Sequence, residues 1–294
     1  MHIGLQIPSF KAPGGTVDIR PKLKEIITTA EDAGFYSLWV MDHYYQIKGL
    51  FGEAYTDPML EAYTTLGYFA GLTEKAKLGV LVTGVIYRHP AVLMKMVNTL
   101  DVLSGGRAYF GIGAAWYEDE ANGNGIPYPS TSERFEKLED SLKLAKALWN
   151  SDETSFAGKH FSAPAITNNP RPLSLPHPRI MIGGTGPNKT MRMVAQYADA
   201  CNIGDWVGKE NMQTALDALK RHCETLGRDY DSIEKTCLGT VNLSAKDTVS
   251  SVMSRINELS AMGFTHVIFN MPDVYSITPL KTFAKEIIPS VAGL

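Results

Sequence analysis

Asp42 and His43 stand side by side at the end of an apolar run, and they are the first residues whose chemistry asks for an explanation. A carboxylate beside an imidazole can fix its tautomer and bring it into the working range of a general acid or base. The plainer alternative is a turn cap with a solvent-facing histidine. A second candidate is Gly183-Gly184-Thr185-Gly186-Pro187. Glycines let backbone approach a ligand closely, Pro187 suits a first helical turn, and the free N–H groups at a helix start would hold a phosphate. The same glycines would also make a tight strand-to-helix turn, and the run alone does not separate the two. Arg88-His89, just before Pro90, offers a guanidinium either to an anionic tail or to a neighbouring carboxylate. Glu118-Asp119-Glu120 reads as a solvated helix start, since carboxylates are seldom buried.

Other chemistries find no support. Gly111-Ile112-Gly113 opens like a dinucleotide fingerprint, but Trp116 stands at the third glycine position. The seven histidines include no H-E-x-x-H and no pair at ligand spacing, and no metal site is expected. Walker A, G-x-S-x-G and EF-hand patterns are missing too, which disfavours nucleotide hydrolysis and serine esterase chemistry. Cys201, Cys223 and Cys237 are odd in number and widely spaced, and read as buried small apolar residues.

These residues must be positioned by the elements around them. Short apolar runs fall at 2–7, 37–41, 77–85, 108–113, 179–182, 199–203, 236–242 and 265–270. Most are apolar on both parities, as strands covered on both faces are. Between them lie helical patterns: Leu23, Ile26, Ile27 and Ala30; Leu93, Met96, Val97 and Leu100; Leu280, Phe283, Ala284 and Ile287. Ser130-Thr131-Ser132-Glu133 is a capping box opening a helix to Trp149. Eight strands alternating with eight helices in 294 residues predict an α/β fold, a (β/α)₈ TIM barrel, with a doubly wound open sheet as the rival. The chain is expected to form one domain over 1–294. An insertion at about 150–178, rich in Pro, Asn and Ser, holds a small hairpin around 156–161.

Composition bounds the function. With 44% hydrophobic and 20% charged residues the chain is globular, and a net charge of −3 gives no general grip on nucleic acid or anionic lipid. No membrane-length apolar stretch and no signal-peptide pattern occurs, so a cytoplasmic, soluble protein is expected.

A barrel carries its chemistry at the C-terminal strand ends. In order these deliver Gln6; Asp42-His43; Thr83-Gly84 and then Tyr87-Arg88-His89; Gly113-Ala114-Ala115-Trp116; Gly183 to Gly186; Asn202 to Trp206; Asn242; and Asn270. None is a lysine, which disfavours Schiff-base aldolase chemistry.

Taken together, several segments resemble the luciferase-like monooxygenase superfamily, and within it the class using the deazaflavin coenzyme F420. They are Ala33-Gly34-Phe35 with 37–43 (SLWVMDH), 78–84 (LGVLVTG) running into Tyr87-Arg88-His89-Pro90, and Leu103-Ser104-Gly105-Gly106-Arg107 leading to 111–116 (GIGAAW). Ile182-Gly183-Gly184-Thr185-Gly186 and 197–202 (YADACN) fit as well. The resemblance implies a TIM barrel with an insertion before the fifth strand, and F420 (alternatively FMN) lying across the barrel mouth. It implies a non-prolyl cis peptide near Leu81-Val82 that backs the ring, with Thr83 beside it. By the same resemblance His43 exchanges the proton that accompanies hydride transfer, and Asp42 orients His43 or hydrogen-bonds the ring. Gly113, Ala114 and the backbone of Gly183, Gly184, Thr185 and Gly186 contact the cofactor, while Gln6 and Trp116 line the substrate pocket. One departure stands out: the sugar-phosphate dehydrogenase branch has an acidic residue where this chain has Trp116. An aromatic there favours an apolar pocket or a planar substrate, and no carboxylate role passes to Glu118 or Glu120. The expected function is hydride transfer between deazaflavin and a small organic substrate. The alternatives are an FMN-dependent monooxygenase and a non-catalytic flavin- or deazaflavin-binding protein. A homodimer is expected from the family.

Overall fold

Eleven strands appear in the computed structural model, which describes residues 1–294. They are β1 (His2–Ile7), β2 (Ser37–Val40), β3 (Lys77–Val80), β4 (Thr83–Gly84), β5 (Ala108–Gly113), β6 (Glu153–Ala157), β7 (Ser162–Thr167), β8 (Arg179–Gly183), β9 (Ala200–Gly204), β10 (Glu234–Thr240) and β11 (His266–Asn270). Strands β6 and β7 form an antiparallel hairpin inside the expected insertion. The other nine make one sheet in the order β3-β2-β1-β11-β10-β9-β8-β5-β4, and a β3–β5 pairing closes it into a barrel. Every barrel pairing is parallel. The run 77–85, expected as one strand, is broken in two, and the peptide between Leu81 and Val82 is cis, as the resemblance implies. Counting β3 and β4 as one stave gives the eight-staved TIM barrel.

Helices α1 (Thr16–Asp32), α2 (Ala62–Ala70), α3 (Pro90–Leu103), α4 (Glu118–Gly123), α5 (Thr131–Trp149), α6 (Thr190–Tyr197), α7 (Lys209–Leu226) and α8 (Val249–Ala261) follow in order. The chain ends in a helical segment made of α9 (Thr278–Thr282), a π turn over Phe283–Ile287 and α10 (Ile288–Val291). The apolar faces read from spacing are the buried ones: Leu23, Ile26, Ile27 and Ala30 on α1, and Leu93, Val97 and Leu100 on α3. Each fully buried Leu or Ile there contributes roughly 1.5–3 kcal/mol. All three cysteines are free and buried. No helix is long and apolar enough to cross a membrane.

Two local expectations differ from the structure. Helix α6 begins at Thr190, and Pro187 sits in the preceding turn rather than in the first helical turn. At α5 the Ser130 side chain accepts from Glu133 N, so the forward half of the capping box forms. The full reciprocal box is at Thr248 and Ser251 on α8.

The apolar interior has two parts. A large layer lies between strands and helices, while Trp39, Leu81, Tyr109, Met181, Ala200, Leu238 and Ile268 fill the barrel itself, with Val82 packed against them. Below this plug, at the N-terminal strand ends, a polar chain is fully partnered. Trp39 Nε1 donates to Ser37 Oγ (2.7 Å), Ser37 Oγ lies 2.8 Å from His266 Nε2, and His266 Nδ1 lies 3.0 Å from Glu234 Oε1. Arg179 and the Tyr109 hydroxyl both donate to Glu234 Oε2. Burial alone would raise Glu234, but the His266 hydrogen bond and the Arg179 charge outweigh it and hold the carboxyl at about 2. The folded value lies below the unfolded one, so this stabilisation is present above about pH 4.5 and fades as pH falls toward 2. The difference is worth about 3 kcal/mol. Glu234→Gln is therefore expected to flatten the acid limb of stability. Urea unfolding at pH 7 and pH 3 checks it, and equal losses for variant and parent would refute the assignment.

Candidate active site

At the C-terminal end of β2 the chain delivers Asp42 and His43 to the barrel mouth, but to different partners. Both Asp42 oxygens accept from Arg88: Nη1 to Oδ2 at 2.8 Å and Nη2 to Oδ1 at 2.9 Å. Oδ2 also accepts from Gly84 N at 2.9 Å. Arg88 Nη2 reaches Glu61 as well, at 2.6 Å, and the Glu61 side chain caps the start of α2. Burial works against the guanidinium charge, yet the Asp42 carboxylate pushes Arg88 above its ordinary range. The question left open for Arg88 is thus decided in favour of the carboxylates. The expectation that Asp42 orients His43 is corrected: its oxygens are committed to Arg88 and to the backbone of β4.

Glu120 orients the imidazole instead. His43 Nδ1 lies 3.2 Å from Glu120 Oε1. Tyr44 N and Tyr45 N donate to Oε2 at 2.5 and 2.8 Å, and the Tyr87 hydroxyl donates to Oε1. Burial opposes ionisation, but the bonds from His43, the Tyr45 backbone and Tyr87 prevail and hold Glu120 below the usual carboxylate range. An ionised carboxylate only accepts, so Nδ1 carries a proton toward Glu120, while Nε2 makes no hydrogen bond within the protein. Tyr87 is pushed up by burial and by the Glu120 carboxylate, and stays a phenol. The reading of 118–120 as a solvated run is corrected at Glu120, which is fully buried. The signal was present: Tyr117, Glu120 and Ala121 share helical i, i+3, i+4 spacing, and Ala121 is buried beside Glu120.

Between β3 and β4, the barrel wall folds inward. Leu81 and Val82 both join the barrel plug. Space for them comes from glycines. A Cβ on Gly113 would lie 2.8 Å from a Val82 methyl, one on Gly183 would lie 3.1 Å from two of them, and one on Gly111 would run into the Val80 carbonyl oxygen. The Gly111–Gly113 spacing that mimics a dinucleotide fingerprint therefore receives the inward step of the neighbouring stave. Because that carbonyl is backbone and cannot swing aside, Gly111→Ala is expected to cost about 1–3 kcal/mol, read as a lower urea midpoint. A parental midpoint would show that the wall has slack.

The remaining expected residues fall as follows. The Thr83 side chain points away from the barrel axis and bonds the Tyr63 hydroxyl of α2 at 2.8 Å, so only its backbone is open to a ligand. Thr83 pairs with Ile112, whose side chain lies in the outer apolar layer, and this explains the direction. Ala114 gives its carbonyl to Arg134 Nε at 3.0 Å. Trp116 is 60% exposed; its ring stacks on Tyr117 (5.2 Å, 13°) and meets His43 edge-on (5.6 Å, 74°). Gly184 has φ 130°, which only glycine adopts easily, and its N–H donates to Asn202 O. Thr185 and Gly186 follow with backbone N–H groups that find no acceptor in the protein. Gln6 is buried in the barrel interior, and its Nε2 donates to Leu81 O at 3.2 Å. Asn270, in register with Gln6, is equally buried, although neither its residue type nor its spacing singles it out among the strand ends.

The arrangement can hold a flat group against the inward step, take its anionic tail at the 185–186 turn, and exchange a proton at His43 Nε2. Residues 1–271 match the family model for luciferase-like monooxygenases. An F420-dependent glucose-6-phosphate dehydrogenase of Kineococcus radiotolerans is 30% identical over 218 residues, covering 73% of this chain and 62% of that relative. Among solved structures, monooxygenase RslO1 of Streptomyces bottropensis superposes with a TM-score of 0.81 at 17% identity, over 99% of this chain and all of the other. The F420-dependent tetrahydromethanopterin reductase of Methanopyrus kandleri gives 0.78 at 17%, over 98% of each. At such identities the likeness to the two structures speaks to fold.

Proposed function

The chain belongs to the luciferase-like monooxygenase family, and from that membership we propose that it is an F420-dependent oxidoreductase moving a hydride between the deazaflavin ring and a small organic substrate. The relative named as F420-dependent supports the choice of cofactor. When bound, the deazaflavin supplies a carbon centre that accepts or donates a hydride.

The residues present fit that group. Leu81 and Val82 turn apolar side chains into the mouth as a backing for a planar ring. Gly184 and Gly186 keep the strand-end turn low, where a Cβ on either would crowd Thr190, and Thr185 N and Gly186 N are free to hold a tail phosphate. Glu120 orients His43, and His43 Nε2 takes the substrate's hydroxyl proton in the oxidative direction or returns it in the reductive one. Arg88 locks Asp42, and Asp42 holds Gly84 at the end of β4, so the wall behind the ring keeps its place. The observation that carries the reading is His43 past the end of β2, with one nitrogen fixed by a buried carboxylate and the other without a partner in the protein.

The deciding experiment is purification from a deazaflavin-producing host, followed by titration with F420 and with FMN. The expected outcome is a retained deazaflavin chromophore and saturable F420 binding with hydride transfer. Retention of FMN, with oxygen consumed by the reduced flavin, would instead make the protein a monooxygenase. Binding without turnover would make it a carrier.

A further inference from the structure

Four buried side-chain oxygens in the whole protein have no hydrogen-bond partner: Gln6 Oε1, Asn242 Oδ1, Asn270 Oδ1 and Asp273 Oδ1. All four are acceptors. All lie at or just past the C-terminal ends of β1, β10 and β11, which are neighbours in the barrel. Buried polar groups are otherwise almost always paired, so four unmet oxygens in one sector of the mouth call for a donor there, and the Asn242 and Asn270 amide N–H groups beside them also lack a partner in the protein.

Two of them face the barrel axis. Ile268 belongs to the barrel plug, and Asn270, two residues on, points to the same side. Gln6 is in register with both Asn270 and Trp39, another plug residue. Gln6 and Asn270 are 1% and 2% exposed. Gln6 spends an N–H on Leu81 O, which leaves its oxygen for something else.

Charge limits what that something is. The arginines reaching the strand ends are all engaged: Arg88 by Asp42 and Glu61, Arg134 by the Ala114 and Pro129 carbonyls, and Arg255 by Asp205 and the Thr240 carbonyl. An anion entering this sector would meet acceptor oxygens, one of them on the Asp273 carboxylate, and no free guanidinium; the one cation of the loop after β10, Lys246, is exposed.

We propose that Gln6 and Asn270 form the substrate-recognition floor of the mouth, and that it takes an uncharged substrate carrying hydrogen-bond donors rather than a phosphate or carboxylate. The proposal rests on the hydride-transfer reading above. It adds that the two amide oxygens accept from hydroxyl or N–H groups next to the reacting carbon.

The test compares trans-1,2-cyclohexanediol with its dimethyl ether, and glucose with glucose 6-phosphate. Binding is read by deazaflavin fluorescence on the F420-loaded protein and by calorimetry on the cofactor-free protein. The diol is expected to bind about tenfold tighter than the ether, the worth of a hydrogen bond to a buried acceptor. Asn270→Leu should bring that ratio to about twofold or less while F420 affinity stays parental, and Gln6→Met, which also frees the Leu81 carbonyl behind the ring, should lower the diol-to-ether ratio likewise. Glucose should bind at least as tightly as its phosphate. A diol-to-ether ratio unchanged in both variants would mean that solvent alone satisfies the two oxygens, and would overturn the proposal. So would tighter binding of the phosphate. Failure of F420 to bind, with the diol preference intact and sensitive to Asn270→Leu, would sink the cofactor reading and leave the floor standing.

Discussion

His43→Ala should slow single-turnover hydride transfer by about 10²- to 10⁴-fold, the usual worth of a positioned acid–base group, with F420 affinity close to parental. Glu120→Ala should follow it, because the carboxylate determines which imidazole nitrogen carries the proton. Glu120→Gln keeps an acceptor oxygen within reach of Nδ1 and should retain more of the rate than Glu120→Ala. Nitrogen-15 NMR of the imidazole supplies a readout that simple loosening would not move. The parent should show the proton on Nδ1, and Glu120→Ala should shift population toward Nε2. Unchanged single-turnover rates in His43→Ala with cofactor bound would remove His43 from the chemistry. An unchanged tautomer in Glu120→Ala would remove Glu120 from its positioning role. Since Glu120 is held below the ordinary carboxylate range, its charge persists at neutral pH, and any stabilisation from its bonds is lost only as pH falls through that lowered value.

The second large effect is on stability. Arg88→Met leaves the Asp42 carboxylate, whose side chain is 1% exposed, without its counter-charge. Breaking one side of a buried pair typically costs about 3–5 kcal/mol, because the remaining ion is stranded. The loss should shrink at acid pH. Burial already holds Asp42 above the ordinary carboxylate range against the Arg88 charge, and with Arg88 gone it rises further, so the folded state is favoured below that value and disfavoured as pH rises through it. The double variant Asp42→Asn with Arg88→Met should recover part of the loss, since no buried charge remains. Urea unfolding of the three proteins at pH 5 and pH 8 measures all of this. A single-variant cost under about 1 kcal/mol at pH 8 would show that the pair is solvated as a surface bridge is.

Much of this protein is legible in its sequence because local rules suffice for it. Strand runs apolar on both parities, helical faces at i, i+3, i+4, and strict alternation dictate a parallel sheet and favour a barrel over an open one; the β3–β5 pairing closes it, and a barrel dictates which residues reach its mouth. Asp42, His43, Gln6, Gly113 and the 183–186 turn were all placed there by that logic, and Ser130 opens the helix that its spacing announces. The inward step at Leu81-Val82 was legible too, though only through family resemblance.

What tertiary structure alone decided was pairing. Asp42 looked like the partner of the histidine next to it, yet it binds Arg88, 46 residues on, and His43 binds Glu120, 77 residues on. Adjacent residues at a strand end point to opposite sides, so sequence neighbours are poor candidates for contact, while closure of the barrel brings distant loops within hydrogen-bond distance. A run of three carboxylates gives no sign of which one is desolvated. That depends on which face of a single helical turn the loops of β2 and β4 happen to cover. The direction of the Thr83 side chain and the unpartnered oxygens of Gln6 and Asn270 have the same origin. Composition and periodicity decide which residues arrive at the mouth, but hydrogen-bond partners are chosen by three-dimensional proximity in a place where no buried charge can go unpaired.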